Sequence, residues 1–312
     1  METRRLGSSS LEVAQLSLGS WRTFERIPRE AGVAVMRKAR EVGINFLDDA
    51  RYNDETGQAP LKTGYSEVVF GELFRAAGWK RDEVLLANKL WWEFWPEQSA
   101  AQELEGSLQR MGMDYLDLAY AAEPPKGFTV EQVVTEVTDL IEAGKLRAWG
   151  VLNWPPSLIA EAGRIAADRG MPPPCAAQLP YNLLVRSGVE DGEMVEALKG
   201  ARMSVVASYS LMGGALTGKY DKPGVGGRIT ARIDERDYSA ALRVGGELSE
   251  FARQRGAKPA AMAIAFALKN PLVATVLFGA TRPEQIEENL GAIALARDLD
   301  ERTMAELRRI GA

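Results

Sequence analysis

The stretch Gly43-Ile-Asn-Phe-Leu-Asp-Asp-Ala-Arg-Tyr52 joins a short apolar run to charged residues. Residues 44–47 predict a buried strand, whereas Asp48 and Asp49 would each cost several kcal/mol if they were buried without a partner. We therefore expect the acids to lie where the strand leaves the core. The run Val84-Leu-Leu-Ala-Asn-Lys89 offers a partner, because it is a second apolar run that ends in the opposite charge. Together the two runs predict a polar cluster at one rim of a strand-rich core.

Strand-like and helix-like segments alternate on both sides of these runs. Eight segments are predicted as strands: 16–21, 44–48, 84–88, 115–120, 148–152, 176–178, 204–208 and 274–278. Helices are predicted between and after these strands, from their periodicity, over 30–42, 66–74, 98–111, 130–143, 156–169, 190–199, 238–255, 258–269, 283–294 and 300–310. Ser66 is predicted to cap the second of these helices. A small hairpin is predicted over residues 2–14, and a Gly-rich loop over 210–236.

This alternation decides the fold class. Regular βα units require a parallel sheet with right-handed crossovers, and eight of them suit the length of a TIM barrel. A doubly wound sheet would carry a Gly-rich turn after its first strand. Here that strand leads into Gly19-Ser-Trp-Arg-Thr-Phe24, which has no G-x-G-x-x-G pattern. We therefore predict an α/β fold, a (β/α)8 TIM barrel with an N-terminal β-hairpin and extra C-terminal helices, as one domain over residues 1–312.

Active sites of such barrels lie at the carboxyl ends of the strands. The residues predicted at that end are Trp21, Asp48, Lys89, Ala122, Asn153, Gln178, Tyr209 and Gly279. Most of these side chains are polar, which predicts a binding or catalytic site rather than a packed surface.

Composition excludes several kinds of chemistry. The chain has no histidine, so catalytic triads and His-ligated zinc are excluded, and with a single cysteine we expect no metal site. Cys175 has no partner for an internal disulfide and is interpreted as structural. The net charge of −5 argues against nucleic acid or an anionic membrane as a partner. With no signal-peptide run and no apolar segment of about 20 residues, we expect a cytoplasmic protein.

Five segments, in order, resemble motifs of the aldo-keto reductase superfamily. They are Arg4-Arg-Leu-Gly-Ser-Ser-Ser-Leu-Glu-Val, Gly43-Ile-Asn-Phe-Leu-Asp-Asp-Ala, Ser107-Leu-Gln-Arg-Met-Gly-Met-Asp-Tyr-Leu-Asp-Leu, Tyr209-Ser-Leu-Met-Gly-Gly-Ala-Leu-Thr-Gly-Lys-Tyr220 and Gly279-Ala-Thr-Arg-Pro-Glu-Gln-Ile-Glu-Glu-Asn289. The resemblance implies reduction of carbonyls with NADPH, in which a tyrosine gives the proton, an aspartate and a lysine tune it, and a histidine orients the substrate oxygen. Asp48 and Lys89 match the two charged positions. This suits the chemistry, because a nearby ammonium lowers the pKa of a phenol.

The resemblance also implies a set of NADP(H)-binding positions. These are Trp21, Asn153, Gln178, Tyr209, Ser210, Leu211, Lys219, Gly279, Thr281, Arg282, Gln285, Glu288 and Asn289. NADP is expected rather than NAD, because Arg282 and a helix N-terminus near Pro283 would favour the 2′-phosphate.

Two positions depart from the family pattern. Ala122 stands where the family has its histidine, and Glu123 follows one residue later. Asn53 stands at the tyrosine position, with Tyr52 one residue earlier and Tyr65 as a second candidate. The loop 53–64 between the tyrosines is longer than the family pattern suggests. We interpret Tyr52 as the proton donor and this loop as reshaping the pocket.

Several functions remain open on the sequence. The first hypothesis is an NADPH-dependent oxidoreductase that reduces a small aldehyde or ketone. The second uses the same cofactor for C=C reduction, or for redox-neutral epimerisation or elimination. The third is a non-catalytic NADP(H)-binding regulatory subunit. The aromatic residues after Lys89, namely Trp91, Trp92, Phe94 and Trp95, either line a pocket or pack in the core. A homo-oligomer is compatible with each hypothesis.

Overall fold

The strands of the barrel follow one another in sequence order and close on themselves. In the computed structural model, which describes residues 1–221, 229 and 236–312, the order around the barrel is β10-β3-β4-β5-β6-β7-β8-β9. The strands are β3 Leu16–Gly19, β4 Phe46–Asp48, β5 Leu85–Leu90, β6 Leu116–Ala121, β7 Leu146–Leu152, β8 Ala176–Pro180, β9 Ser204–Ser208 and β10 Val273–Phe278. All eight pair in parallel, which confirms the predicted (β/α)8 barrel.

Helices connect the strands and cover the outside of the barrel. They are α1 Arg29–Glu41, α2 Tyr65–Ala76, α3 Ala100–Met111, α4 Val130–Glu142, α5 Pro156–Arg169, α6 Ser187–Glu190, α7 Gly192–Gly200, α8 Arg236–Gln254, α9 Pro259–Leu268, α10 Pro283–Asp298 and α11 Glu301–Ile310. Short 3-10 helices cover Phe24–Arg26, Arg81–Glu83, Met212–Thr217 and Lys219–Asp221. None of the helices in the described part of the chain is both long and apolar enough to cross a membrane.

A few predicted boundaries were wrong for physical reasons. Lys89 lies inside β5 rather than after it, because the strand continues through Leu90. Ser66 does not cap α2: the cap position is Gly64, and the Ser66 hydroxyl donates to the carbonyl of Ala50 at 2.6 Å. The predicted helix 190–199 is present as α7, and the short helix α6, which was not predicted, precedes it. The predicted loop 210–236 begins with two 3-10 helices, and its residues 222–228 and 230–235 lie outside the described residues.

The core has an inner and an outer layer. Inside the barrel, Phe46, Leu118 and Tyr120 pack with Val206, while the outer layer fills the space between strands and helices. Cys175 lies in the inner layer, where burial raises the pKa of its thiol to about 12. A thiol with that pKa stays protonated at neutral pH, which agrees with the structural role predicted for it.

The predicted N-terminal hairpin closes the amino end of the barrel. Strand β1 (Thr3–Arg5) pairs antiparallel with β2 (Glu12–Ala14), and the hairpin buries Leu6, Leu11 and Val13 against the inner layer. Gly7 makes this contact possible: its φ is +55°, and a Cβ there would lie 2.1 Å from the carbonyl oxygen of Cys175. With this end closed, the functional site is expected at the other end.

Candidate active site

A cavity of about 1340 Å³ opens at the carboxyl ends of the strands. Every residue that the sequence predicted for the site lines it: Trp21, Asp48, Tyr52, Lys89, Asn153, Gln178, Tyr209, Ser210, Leu211, Lys219, Gly279, Thr281, Arg282, Gln285, Glu288 and Asn289. Of the other residues predicted at the strand ends, Ala122 does not line it. In the part of the chain that the structure describes, no group of three or more Cys, Asp and Glu side chains is arranged to hold a metal ion.

An ion pair lies at the inner end of this cavity. The Lys89 ammonium donates to Asp48 Oδ1 and to the backbone carbonyl of Asp49, the latter at 2.9 Å. Gln178 Nε2 donates to the second carboxylate oxygen of Asp48 at 2.9 Å. Both charged side chains are almost fully buried. Strands β4, β5 and β8 each supply one member, so the barrel itself fixes their geometry. The pairing of acid and lysine expected from the two apolar runs is therefore present.

The neighbouring acid, Asp49, has a different environment. Its side chain is fully buried and accepts from the hydroxyl of Ser20 through Oδ1, whereas Oδ2 has no hydrogen-bond partner among the described residues. Burial, with the carboxylate of Glu67 nearby, raises the pKa of Asp49 well above its usual range. Asp49 therefore favours the protonated, uncharged form. Of the two adjacent acids, only Asp48 forms an ion pair with the ammonium through its carboxylate.

The two tyrosines named as candidate proton donors lie in different places. Tyr52 lines the cavity, and the Lys89 ammonium is 5.9 Å from the centre of its ring. Tyr65 begins α2, outside the cavity, where its hydroxyl accepts from Arg29 at 3.1 Å. A third tyrosine, Tyr120, also lies near the lysine, with its ring centre 5.7 Å from the ammonium. It is fully buried, and burial raises the pKa of its phenol well above the usual range.

The aromatic run after Lys89 divides between pocket and core. Trp91 lines the cavity, and its ring meets the ring of Tyr52 edge to face at 6.4 Å. Trp92 and Trp95 both pack on Phe128, at 5.0 Å between ring centres, and Phe94 is about half exposed. Only the first residue of the run therefore contributes to the site.

Loops from two strands meet at the mouth of the cavity. Arg22 lines the cavity after β3, and its guanidinium pairs with Glu55 of the loop 53–64. That loop is closed at its base, because the Gly64 N–H donates to the Tyr52 carbonyl at 2.9 Å and Asn53 pairs with Thr63. Asn53 itself is exposed and does not line the cavity. The long loop thus pairs an acid, Glu55, with a cation of the cavity wall, although Glu55 itself does not line the cavity.

The far half of the cavity lies between β9, β10 and α10. Tyr209 follows β9 at a φ of +53°, and its hydroxyl hydrogen-bonds to Tyr238 at 2.7 Å. Asn289, on α10, is buried against the cavity. Gln285 Oε1 accepts from the backbone N–H groups of Thr281 and Arg282, at 2.7 and 3.2 Å. The start of α10 is therefore held by its own side chain, and an anion binding there would share these N–H groups with Gln285.

Lysine and arginine side chains cluster in this half. Lys219, Lys258 and Arg282 all line it, and Lys258 is paired with Glu288 at 3.6 Å. Glycines that include Gly213, Gly218 and Gly279 leave the backbone accessible beside them. A long cavity with cations at one end and a lysine–acid pair at the other suits an extended anionic ligand whose other end must be oriented for chemistry.

A comparison with known proteins agrees with this arrangement. A model of the aldo/keto reductase family matches residues 15–312. The chain belongs to the aldo/keto reductase family. Membership suggests an oxidoreductase, and the family typically binds NAD(P)H.

Curated proteins similar to this chain match nearly its whole length. The chain is 30% identical over 308 residues to a protein of Oryza sativa subsp. japonica described as a probable voltage-gated potassium channel subunit beta, which covers 94% of this chain and 91% of that protein. A putative voltage-gated potassium channel subunit beta of Schizosaccharomyces pombe is 31% identical over 327 residues, at 98% and 91% coverage. A probable voltage-gated potassium channel subunit beta of Arabidopsis thaliana is 28% identical over 308 residues, at 94% and 91% coverage.

At the position expected for the family histidine, Ala122 does not line the cavity. Ala122 directly follows β6, and its carbonyl accepts from the indole N–H of Trp92 at 3.0 Å. Glu123 is exposed and does not line the cavity either. One branch of the family, which reduces C=C bonds, carries a carboxylate in the place of the histidine. Glu123 therefore does not supply such a carboxylate here.

Three cations that line the cavity, namely Arg22, Arg26 and Lys258, were not predicted from the sequence. Arg22 is adjacent to Trp21 at a predicted strand end, so the strand-end rule contained the signal for it. Lys258 precedes α9 and follows no strand, so nothing local marked it. Only the packing of α9 beside α10 brings it to the cavity.

Proposed function

We propose that this reductase is an NADPH-dependent oxidoreductase that reduces the carbonyl of a small aldehyde or ketone. The observation that carries the proposal is the buried Asp48–Lys89 pair at the inner end of the cavity, with Tyr52 beside it. A buried lysine held by a carboxylate and placed near a phenol is an arrangement that favours proton donation.

The roles of the residues follow from their contacts. Reduced nicotinamide, when bound, supplies the hydride. Tyr52 donates the proton to the carbonyl oxygen, and the Lys89 ammonium stabilises the phenolate that remains. Asp48 holds the lysine in place through a direct ion pair, and Gln178 fixes the second carboxylate oxygen. A pair buried this completely keeps its electrostatic effect, because little water screens it.

Support for NADP(H) comes from the far half of the cavity. The volume of about 1340 Å³ exceeds the 300–1,000 Å³ of common small-molecule sites, which leaves room for a dinucleotide together with a substrate. Lys219, Lys258 and Arg282 would neutralise phosphates, and a guanidinium suits the 2′-phosphate of NADP because it can bind oxygen atoms in pairs. Tyr209, whose ring meets that of Trp21 at 6.2 Å, and Asn153, which follows β7, both line the cavity and would contact the nicotinamide.

The test begins with binding of NADPH and NADH, followed by quenching of tryptophan fluorescence. Loss of absorbance at the reduced nicotinamide band is then recorded with a panel of aldehydes and ketones. We expect tighter binding of NADPH than of NADH, and oxidation with at least one carbonyl.

The variants Tyr52→Phe and Tyr65→Phe assign the proton donor. Tyr52→Phe should lower kcat by about 10²–10⁴-fold at unchanged NADPH affinity, the usual contribution of a positioned proton donor. Tyr65→Phe is the matched control and should leave kcat unchanged, because Tyr65 lies outside the cavity. Unchanged turnover in Tyr52→Phe would remove it from the mechanism.

A regulatory function is the second candidate. It is supported by the curated relatives, which are described as channel beta subunits. Binding of NADPH without oxidation by any compound of the panel, together with specific retention on a potassium channel's cytoplasmic segment, would favour this function over catalysis.

A further inference from the structure

The mouth of the cavity carries an arginine held in an uncommon backbone conformation. Arg22 follows Trp21 directly, lines the cavity and has a φ of +50°. Non-glycine residues rarely adopt this left-handed region, and those that do cluster at functional sites. The Arg22 guanidinium carbon lies 5.0 Å from the centre of the Trp21 ring, so the side chain is held against an aromatic surface.

The guanidinium of Arg22 forms an ion pair with a carboxylate of the protein itself. Glu55, on the loop 53–64, pairs with Arg22, and Arg26 lies 3.5 Å from the same carboxylate oxygen. The two partners differ in burial: the Arg22 side chain is only 15% exposed, whereas that of Glu55 is 45% exposed. An ion pair whose acid is half exposed to water is weakly held, so a competing carboxylate can replace it.

We propose that Arg22, assisted by Arg26, is a carboxylate-binding subsite, and that Glu55 fills it until a substrate carboxylate displaces the glutamate. Guanidinium groups bind carboxylates through two parallel hydrogen bonds, which fixes the direction of the ligand. Trp21, which contacts Arg22, lines the same cavity as Tyr52 and Trp91, and these rings suit the apolar body of a ligand. The substrates of the proposed carbonyl reduction, on which this subsite rests, are then aldehydes or ketones that also bear a carboxylate.

Steady-state kinetics with two aldehydes test the substrate class. The probes are 4-carboxybenzaldehyde, which carries the anion, and benzaldehyde, which does not. Arg22→Gln should raise KM for the carboxylated aldehyde at least about tenfold, the loss expected for one hydrogen bond to a charged group, and leave KM for benzaldehyde within about twofold. Glu55→Gln should act in the opposite direction and lower KM for the carboxylated aldehyde alone.

Two further variants guard against indirect effects. Arg29→Gln makes the same change of charge on the first turn of α1, at a residue that does not line the cavity, and should change neither KM. Arg22→Lys keeps the charge but loses the paired hydrogen bonds, so its KM for the carboxylated aldehyde should fall between those of the wild type and Arg22→Gln. Equal changes for both aldehydes in Arg22→Gln would overturn the proposal.

A binding measurement separates this inference from the reductase activity itself. Isothermal titration calorimetry with benzoate and with benzyl alcohol needs no turnover. We expect benzoate affinity to fall at least about tenfold in Arg22→Gln and to rise in Glu55→Gln, with benzyl alcohol unaffected. Arg22-dependent benzoate binding without carbonyl reduction would support the subsite and refute the proposed activity. Benzoate binding that is insensitive to both variants would refute the subsite, whatever the activity.

Discussion

The two ends of the barrel each bury an aspartate, and they use it differently. At the amino end, Asp117 accepts from Arg81 and Arg147, both at 2.7 Å, and from the backbone N–H of Leu86 at 2.9 Å. At the carboxyl end, Asp48 accepts from Lys89 and Gln178. Asp117 is joined only to fixed partners outside the large cavity, whereas Asp48 and Lys89 both line that cavity beside Tyr52. Burial of a charge therefore does not by itself mark an active site. Asp48 differs from Asp117 because its partner, Lys89, also lies near the phenol of Tyr52 and lines the open cavity.

The strongest test of this comparison removes one charge at each end. Lys89→Met should lower kcat by about 10²–10⁴-fold, because it removes the charge that stabilises the Tyr52 phenolate. Asp117→Asn should leave kcat unchanged and lower the free energy of unfolding by about 1–3 kcal/mol, since it weakens contacts to two guanidinium groups. Turnover is measured with the reactive carbonyl of the panel, and stability by urea denaturation. A loss of kcat in Asp117→Asn comparable to that in Lys89→Met would show that the two ends are not functionally distinct.

A second test addresses how tightly the amino end is closed. Gly7→Ala places a Cβ 2.1 Å from the Cys175 carbonyl oxygen at a positive φ, so we expect a loss of more than about 2 kcal/mol in the free energy of unfolding. Gly57→Ala is the matched control: its φ is +68°, but a Cβ there meets nothing within 4 Å. It should cost about 1 kcal/mol, which is the contribution of the backbone conformation alone. Equal losses, measured by urea denaturation, would mean that the hairpin contact at Gly7 does not matter.

The smallest expected effect concerns Asp49, beside the active pair. Its pKa is raised in the folded protein, so the folded state keeps a proton that the unfolded chain releases above its ordinary pKa near 3.9. The stability that this proton confers is complete below that unfolded value and is lost as the pH rises toward the folded pKa. Between pH 5 and 6 the wild type should lose up to about 1.4 kcal/mol relative to Asp49→Asn, or about 2 °C in Tm.

Thermal unfolding of both proteins at pH 5 and pH 6 checks this expectation. The amide introduced by Asp49→Asn would keep an acceptor for Ser20 and carry no titrating group, so other ionisations cancel in the difference between the two proteins. A difference in Tm that does not change with pH would mean that Asp49 is ionised in the folded state.

The alternation of apolar runs and helical periods was sufficient to predict the barrel. The Asp48–Lys89 pair was also predictable, because each residue follows or ends an apolar run and parallel strands end at the same rim. The environment of Asp49 was not predictable. Its neighbour Glu67 comes from α2, where it accepts from Asn88 at 2.8 Å and from Arg110 at 2.5 Å. That cluster depends on how helices pack against the barrel, which no local pattern records.

The contacts at the cavity mouth could not be predicted from the sequence for a similar reason. Arg22 and Glu55 belong to loops after different strands, and neither loop has a periodicity that fixes its path. The departure of the tyrosine from the family spacing was visible in the sequence, but which tyrosine reaches the cavity was decided only by the geometry of Tyr52 and Tyr65.

The closure of the barrel has a consequence for the protein during its synthesis. Strand β3 pairs with β10, and the hydroxyl of Thr275 donates to that of Ser17 across 258 positions of the chain. At a synthesis rate of about 5–20 residues per second, the first barrel strand therefore waits roughly 13–50 seconds for its last neighbour to be made. During that interval one edge of β3 has no β10 to pair with, and an unpaired edge is a template for association with other chains. A nascent chain of this protein is thus prone to association until β10 has been translated.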